Sequence, residues 1–120
     1  MGSEGAVRRG DVVWVRLGPV EAPGRGERRP ALVVSPDLVN EHSPVVIVAA
    51  ITVKKASRVY PFEALLLPSE SGLSTTSKVL LMQIRSLDRS RLDGKAGHLE
   101  QGTMLKVSEA LKIATGLVDL

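Results

Sequence analysis

The sequence predicts a mainly β, α+β fold: an antiparallel, strongly curled sheet or small barrel with one helix packed on it. Three observations predict it. Short runs of β-branched and aliphatic residues recur along the first two thirds of the chain, turn-forming residues separate them, and the hydrophobic period becomes helical only near the C-terminus. Closely spaced strands without alternating helical segments argue against βα units and a parallel sheet. At 120 residues the chain can build one modest core and not two. The expected organisation is a flexible arm over 1–8 and a single domain over 9–120.

Arg9-Gly10-Asp11 leads into Val12-Val13-Trp14-Val15-Arg16-Leu17, a β-branched run that predicts a first strand ending at Gly18-Pro19. From Pro19 to Pro30, three Pro and two Gly occur in twelve residues together with Arg25, Arg28 and Arg29, which predicts an exposed, Arg-rich loop. Ala31 to Val34 and Val45 to Ile51 are continuous apolar runs of strand length, expected as central strands buried on both faces. Pro36, Asp37, Asn40 and Pro44 mark a turn-rich connection between them. A shorter strand is expected around Arg58 to Leu67. Pro68 to Lys78, with six Ser or Thr and one Gly, reads as a surface loop, and Val79 to Arg85 as another buried strand. Met104, Val107, Leu111, Ala114 and Val118 then recur at spacings of three and four, with Lys106, Glu109 and Lys112 off that stripe. This predicts a C-terminal amphipathic helix, closed near Gly116 by a left-handed residue.

Composition narrows the functional classes. With 43% hydrophobic and 24% charged residues the chain is an ordinary globular sequence, and sixteen Lys and Arg against thirteen Asp and Glu give a net charge of +3. A basic balance permits a nucleic-acid partner without establishing one. The chain has no cysteine, which excludes disulfides, thiolate nucleophiles and zinc-thiolate sites, so a reducing cytoplasm is the simplest location. No apolar stretch approaches the roughly 20 residues that span a bilayer, and no membrane role is expected. His42 and His98 stand far apart without carboxylates at metal-ligand spacing, so no metal or cofactor is expected. Neither belongs to a Ser-His-Asp arrangement, and no phosphate-binding P-loop is present; Gly24 and Gly26 alone only let a loop turn.

Arg29 and Thr52 resist so plain a reading. Arg29 stands where a Pro- and Gly-rich loop enters an apolar strand, a place where a guanidinium serves either solubility or anion binding. If the strand pleat has begun there, Arg28 points the other way. Thr52 closes the apolar run Val45 to Ile51, either as a turn former or as a donor to the same anion. Gln83 interrupts an apolar strand; as a buried amide it would need hydrogen-bond partners or cost about 1 to 3 kcal/mol, and it either satisfies the core or positions a ligand. Lys54, Lys55 and Arg58 form a basic loop that is most simply solvated, with phosphate tracking as the alternative.

Taken together, Arg9-Gly10-Asp11-Val12, Arg29-Pro30-Ala31-Leu32-Val33-Val34, Asn40 with Ser43-Pro44, Ile47-Val48-Ala49-Ala50-Ile51-Thr52, Gln83-Ile84-Arg85 and Lys106-Val107 with Glu109-Ala110-Leu111 resemble the MazF/PemK family of bacterial toxins. The resemblance runs from Arg9 to Leu120 in the family's order and spacing. It implies a compact SH3-like β-barrel with short helices and a C-terminal helix, and a homodimer. It also implies a metal-independent, ribosome-independent mRNA interferase that cuts single-stranded RNA within a short sequence. In this family the ribose 2′-OH attacks, leaving a 2′,3′-cyclic phosphate and a 5′-hydroxyl.

Carried over by position, the family's Arg-Pro arginine falls on Arg29 and its strand-ending Thr on Thr52, the expected catalytic pair. Gln83 is the candidate for positioning substrate, and Arg25, Arg28, Lys54, Lys55 and Arg58 are further candidates for binding it. The resemblance also implies a MazE-like antitoxin, for which an acidic segment that folds on binding suits basic grooves. One departure stands out: where many members carry Gly-Ser-Glu-Gln, this chain has Ala22-Pro23-Gly24-Arg25, so the loop Glu is missing and Glu21 and Glu27 lie off its position. A reference pKa above about 12 makes Arg a poor general base, and the proton acceptor stays open. Two other readings compete. A CcdB-like toxin that poisons DNA gyrase by binding alone needs neither Arg29 nor Thr52, and an inert RNA-binding barrel needs no Thr at position 52.

Overall fold

The computed structural model describes residues 6–18 and 27–120. Among these residues six strands form one antiparallel sheet: β1 (Asp11–Arg16), β2 (Arg28–Val33), β3 (Val45–Thr52), β4 (Glu63–Leu66), β5 (Ser77–Asp88) and β6 (Leu92–His98). Their spatial order is β4-β5-β3-β2-β1-β6, so the two continuous apolar runs occupy the middle of the sheet as their composition requires. Among the described residues three α-helices accompany it, α1 (Asp37–His42), α2 (Pro68–Ser71) and α3 (Gln101–Ala114). The architecture is thus the curled, mainly β sheet with a C-terminal helix that the sequence predicts. Among the described residues, no helix is long and apolar enough to cross a membrane.

Because strand side chains alternate between faces, the sheet carries two apolar clusters. Val12, Leu32, Ala49, Ile51, Val79 and Leu81 share one face with Leu66, Leu99 and the α3 residues Val107 and Ala110. Val13, Val15, Ala31, Val33, Val46, Val48 and Leu87 share the opposite face. The predicted α3 stripe holds for Met104, Val107, Leu111 and Ala114, whereas Val118 lies beyond the helix end and is exposed. That end is closed as expected. Gly116 at φ +76° lets its own N–H reach the Ile113 carbonyl and the Leu117 N–H reach that of Lys112 at 2.8 Å.

Four segments depart from the sequence reading. The turn-rich stretch before β3 forms α1, held by tertiary bonds: the buried Asn40 amide donates to the Ser35 carbonyl at 3.0 Å, and Arg89 donates to the Asn40 and Ser43 carbonyls. The strand expected at Arg58 to Leu67 is only β4, because residues 53–62 form a loop closed by the parallel Tyr60 and Phe62 rings, 5.5 Å apart. The expected loop Pro68 to Lys78 contains α2 and buries Ser71, Leu73, Ser77 and Lys78. β6 carries no strand signal of its own, since Leu-Asp-Gly-Lys-Ala-Gly-His has no β-branched residue; irregular pairing with β1 makes it a strand.

Gly72 closes α2 at φ +76°, and a Cβ there would lie 1.9 Å from the Ala96 carbonyl oxygen of β6. Gly72→Ala is therefore expected to destabilise the fold by about 2 to 3 kcal/mol through left-handed strain and backbone overlap. Gly102→Ala, in α3 with open space around its Cβ position, should instead stabilise by about 0.5 to 1 kcal/mol. Urea unfolding midpoints of the two variants provide the comparison.

Candidate active site

A groove of about 340 Å³ opens on the face that carries the second apolar cluster. Its apolar surface comes from β1, β2, β3 and β5: Val15, Ala31, Val48, Ala50 and Leu87. These residues alternate along their strands, so the same pleat that buries them also brings up their neighbours at i±2. Ala31 carries Arg29 with it on β2, and Leu87 carries Arg85 on β5. Arg29, Arg85, Gln83 and Glu27 give the groove its polar rim.

Arg29 has a side chain more than half exposed, and its Nη2 donates to Glu27 Oε1 at 2.8 Å. That hydrogen bond, followed by the carboxylate's charge, raises the Arg29 pKa above its already high ordinary value. The guanidinium is therefore a fixed positive charge and not a proton acceptor. Val15 stands opposite Arg29 in the β1–β2 ladder, which places the cation beside an apolar wall.

Gln83 reaches the groove by a different route from the one expected. β3 and β5 pair regularly from Val45↔Asp88 to Ala49↔Ile84, then shift so that Ala50 faces Leu80. Leu81, Met82 and Gln83 have no partner on β3, and β4 covers β5 only as far as Leu80. Such a bulge bends the strand and re-aims its side chains. Gln83 is consequently exposed on the groove and not a buried core amide, and residues 82–85 of the strand expected to be buried are exposed.

Thr52 ends β3 and is half-buried, its Oγ1 accepting the Lys54 N–H at 3.1 Å. The β2–β3 ladder runs from Val33↔Val48 to Ala31↔Ala50, and continuing it by two residues sets Arg29 opposite Thr52. Thr52 therefore belongs to the strand pair beneath Arg29, although it does not line the groove. Arg28 turns to the other face, as the pleat requires: its guanidinium lies 4.5 Å from the centre of the Trp14 ring and pairs with Asp93 at 3.1 Å. It does not converge with Arg29.

Lys54, Lys55 and Arg58 are exposed in the turn after β3, where Lys55 adopts φ +53°. They flank Thr52 in sequence without lining the groove. Arg25 lies outside the described residues, as do Glu21, Gly24 and Gly26. Among the described residues no group of three or more His, Asp or Glu side chains is placed to hold a metal ion.

Sequence reasoning singled out neither Glu27 nor Arg85 as site residues. The signal was present in the spacing, since each stands two residues from a candidate, Arg29 and Gln83, and in an extended chain i and i+2 share a face. What was lacking was the knowledge that β2 and β5 present those faces to the same groove.

This arrangement suits an extended anion with apolar or aromatic groups between its charges, bound by guanidinium and amide donors over an aliphatic floor. The comparisons with known proteins agree with that chemistry. Endoribonuclease EndoA of Bacillus subtilis is 41% identical over 113 residues, covering 94% of this chain and 97% of that protein. Endoribonuclease MazF of Staphylococcus saprophyticus is 39% identical over 111 residues, covering 92% of each. Among solved structures, an endoribonuclease in complex with its cognate antitoxin from a mycobacterial species superposes with a TM-score of 0.77 at 29% identity, covering 96% of this chain and 100% of that one. The family model for the PemK-like, MazF-like toxin of type II toxin-antitoxin systems matches residues 8–115, and the chain belongs to that family.

Proposed function

We propose that this protein is the toxin of a toxin-antitoxin pair and acts as a sequence-specific, ribosome-independent endoribonuclease on single-stranded mRNA. The observation that carries the proposal is the groove in which Arg29, Gln83 and Arg85 converge over an aliphatic floor, in a chain about 40% identical to proteins named endoribonucleases. In-line attack of a ribose 2′-OH on the adjacent phosphorus builds negative charge on the phosphorane oxygens. Arg29 supplies a permanent positive charge at that point, so the reaction needs no metal. Thr52, on the strand opposite, donates a hydrogen bond to the same oxygens. Gln83 offers an amide donor and acceptor to a base edge, a suitable reader for unstacked single-stranded RNA. Lys54, Lys55 and Arg58 extend the positive surface along the backbone of the substrate.

The partners follow from this charge pattern. A MazE-like antitoxin with an acidic segment would cover the groove, and a homodimer would present two such grooves. The similar mycobacterial endoribonuclease, solved in complex with its cognate antitoxin, supports such a partner. The binding-only, gyrase-poisoning alternative draws no support from relatives that carry endoribonuclease names.

The test is incubation of the purified chain with a long single-stranded RNA and the DNA of the same sequence, both in EDTA, with the ends mapped. Discrete RNA cuts with 2′,3′-cyclic phosphate and 5′-hydroxyl ends, and intact DNA, are the expected result. Folded protein that leaves a long, varied RNA uncut would overturn the proposal.

A further inference from the structure

We propose that Glu27 is the general base that takes the 2′-hydroxyl proton, an inference that rests on the nuclease reading above. The chemistry needs an acceptor that is unprotonated near neutral pH, open to substrate and beside the scissile phosphate. Arg29 cannot serve, because its pKa is raised further by Glu27. Arg85 is a cation as well, and the Gln83 amide has no useful basicity. Among the described residues lining the groove, Glu27 is the one carboxylate.

Among the described residues, several other acidic and imidazole groups have partners away from the groove. Asp11 is buried against His98 at 2.6 Å and Lys95 at 3.2 Å. Asp93 is shared by Arg16 and Arg28 on the opposite face of β2, and Glu63 is buried on Lys78. His42 lies on α1 beside Glu41.

The position of Glu27 also fits the reaction. Its Oε1 meets one edge of the Arg29 guanidinium at 2.8 Å, and the fork geometry of Arg leaves other N–H groups for a phosphate. An Arg that binds a carboxylate and a phosphate together holds the two anions side by side. The 2′-hydroxyl of the attacking ribose lies next to that phosphate, within reach of the carboxylate. Glu27 accepts the 2′-hydroxyl proton as the 2′-oxygen bonds to phosphorus. The bond from phosphorus to the 5′-oxygen breaks, the departing oxygen takes a proton from water, and Glu27 returns its proton to solvent. The charged side chains that line the groove with Glu27 are Arg29 from β2 and Arg85 from β5.

The experiment is single-turnover cleavage of an RNA carrying a mapped cut site, across acid to mildly alkaline pH, by wild type and Glu27→Gln. Glu27 is exposed, so Gln is accommodated without a folding cost. Affinity for the same RNA carrying a 2′-deoxy group at the cut site is measured in parallel. The expected result is a wild-type rate that falls on acidification, and a Glu27→Gln rate about 10²- to 10³-fold lower that has lost this acid limb. Affinity for the uncleavable RNA should stay within about threefold.

Glu27→Gln cutting at close to the wild-type rate would overturn the inference alone. Slow cutting with the wild-type acid limb intact would do the same, since Glu27 would then only position Arg29. Wild-type protein that cuts no RNA would overturn the nuclease reading itself.

Discussion

Replacing Arg29 with Ala is expected to lower the rate of RNA cleavage by about 10²- to 10³-fold, the loss typical of removing one preorganised donor from a developing oxyanion. The effect should fall on kcat more than on KM, because charge accumulates on the phosphorane oxygens only in the transition state. Arg29→Lys keeps a positive charge but loses the planar fork that binds a carboxylate and a phosphate together, so it should recover only part of the rate. The fold should not change, since the Arg29 side chain is more than half exposed and its partner Glu27 is equally open to water. Thr52→Ala removes one neutral donor and should cost less, about tenfold. Single-turnover rates, together with thermal unfolding of each variant, separate lost chemistry from lost structure. An Arg29→Ala protein that is folded and cuts at the wild-type rate would remove Arg29 from the site.

The largest expected effect on stability lies at Lys78. Its Nζ pairs with Glu63 Oε1 at 2.8 Å, with both side chains less than a tenth exposed, and also donates to the Arg58 carbonyl at 2.8 Å. The Tyr60 N–H donates to the same Glu63 oxygen at 3.0 Å. This cluster ties the loop bearing Lys54, Lys55 and Arg58 to the β4–β5 pair, and Lys78 is the ladder partner of Thr52. Lys78→Ala leaves a buried carboxylate without its counter-ion and should destabilise the protein by about 3 to 5 kcal/mol. The double variant Lys78→Met with Glu63→Leu removes both charges and should recover most of that loss. It still leaves the Arg58 carbonyl and the Tyr60 N–H without their partners, so recovery is incomplete. Denaturant unfolding of the single and double variants tests this, and equal instability of the two would sink the argument.

The same pair sets a pH dependence. Burial pushes the Glu63 carboxyl up, but hydrogen bonds from Lys78 and the Tyr60 N–H, with the Lys78 charge, more than offset this and leave it below its ordinary value. A carboxyl depressed in the folded state binds fewer protons there than in the unfolded chain. Its stabilisation is complete above the ordinary carboxylate range and is lost as pH falls through the depressed value.

Much of this was legible in the chain because periodicity reports burial directly. Val45 to Ile51, a continuous apolar run of strand length, read as an interior strand, and the three-and-four spacing of Met104 to Ala114 read as one packed side of a helix. The motifs placed Arg29 and Gln83 in one family pattern, and the structure brings both to one groove. Elements made by tertiary partners left no such signal. α1 depends on Asn40, Ser35 and Arg89 across three segments, and β6 on β1. Lys78 read as the end of a polar loop, because nothing local announces that a charge has a buried partner fifteen residues away.

The sequence by itself determined the fold class, the central strands, the capped helix and the family, since each rests on local pattern and ordered motifs. Only the tertiary structure decided what the site contains. Strand pairing put Arg29 opposite Val15 and turned Arg28 away to Trp14 and Asp93. An irregular β3–β5 register lifted Gln83 out of the core, and the pleat set Glu27 against Arg29. The physical reason is that a groove is a relation between strands distant in sequence, and its register and bulges follow from the packing of the whole sheet.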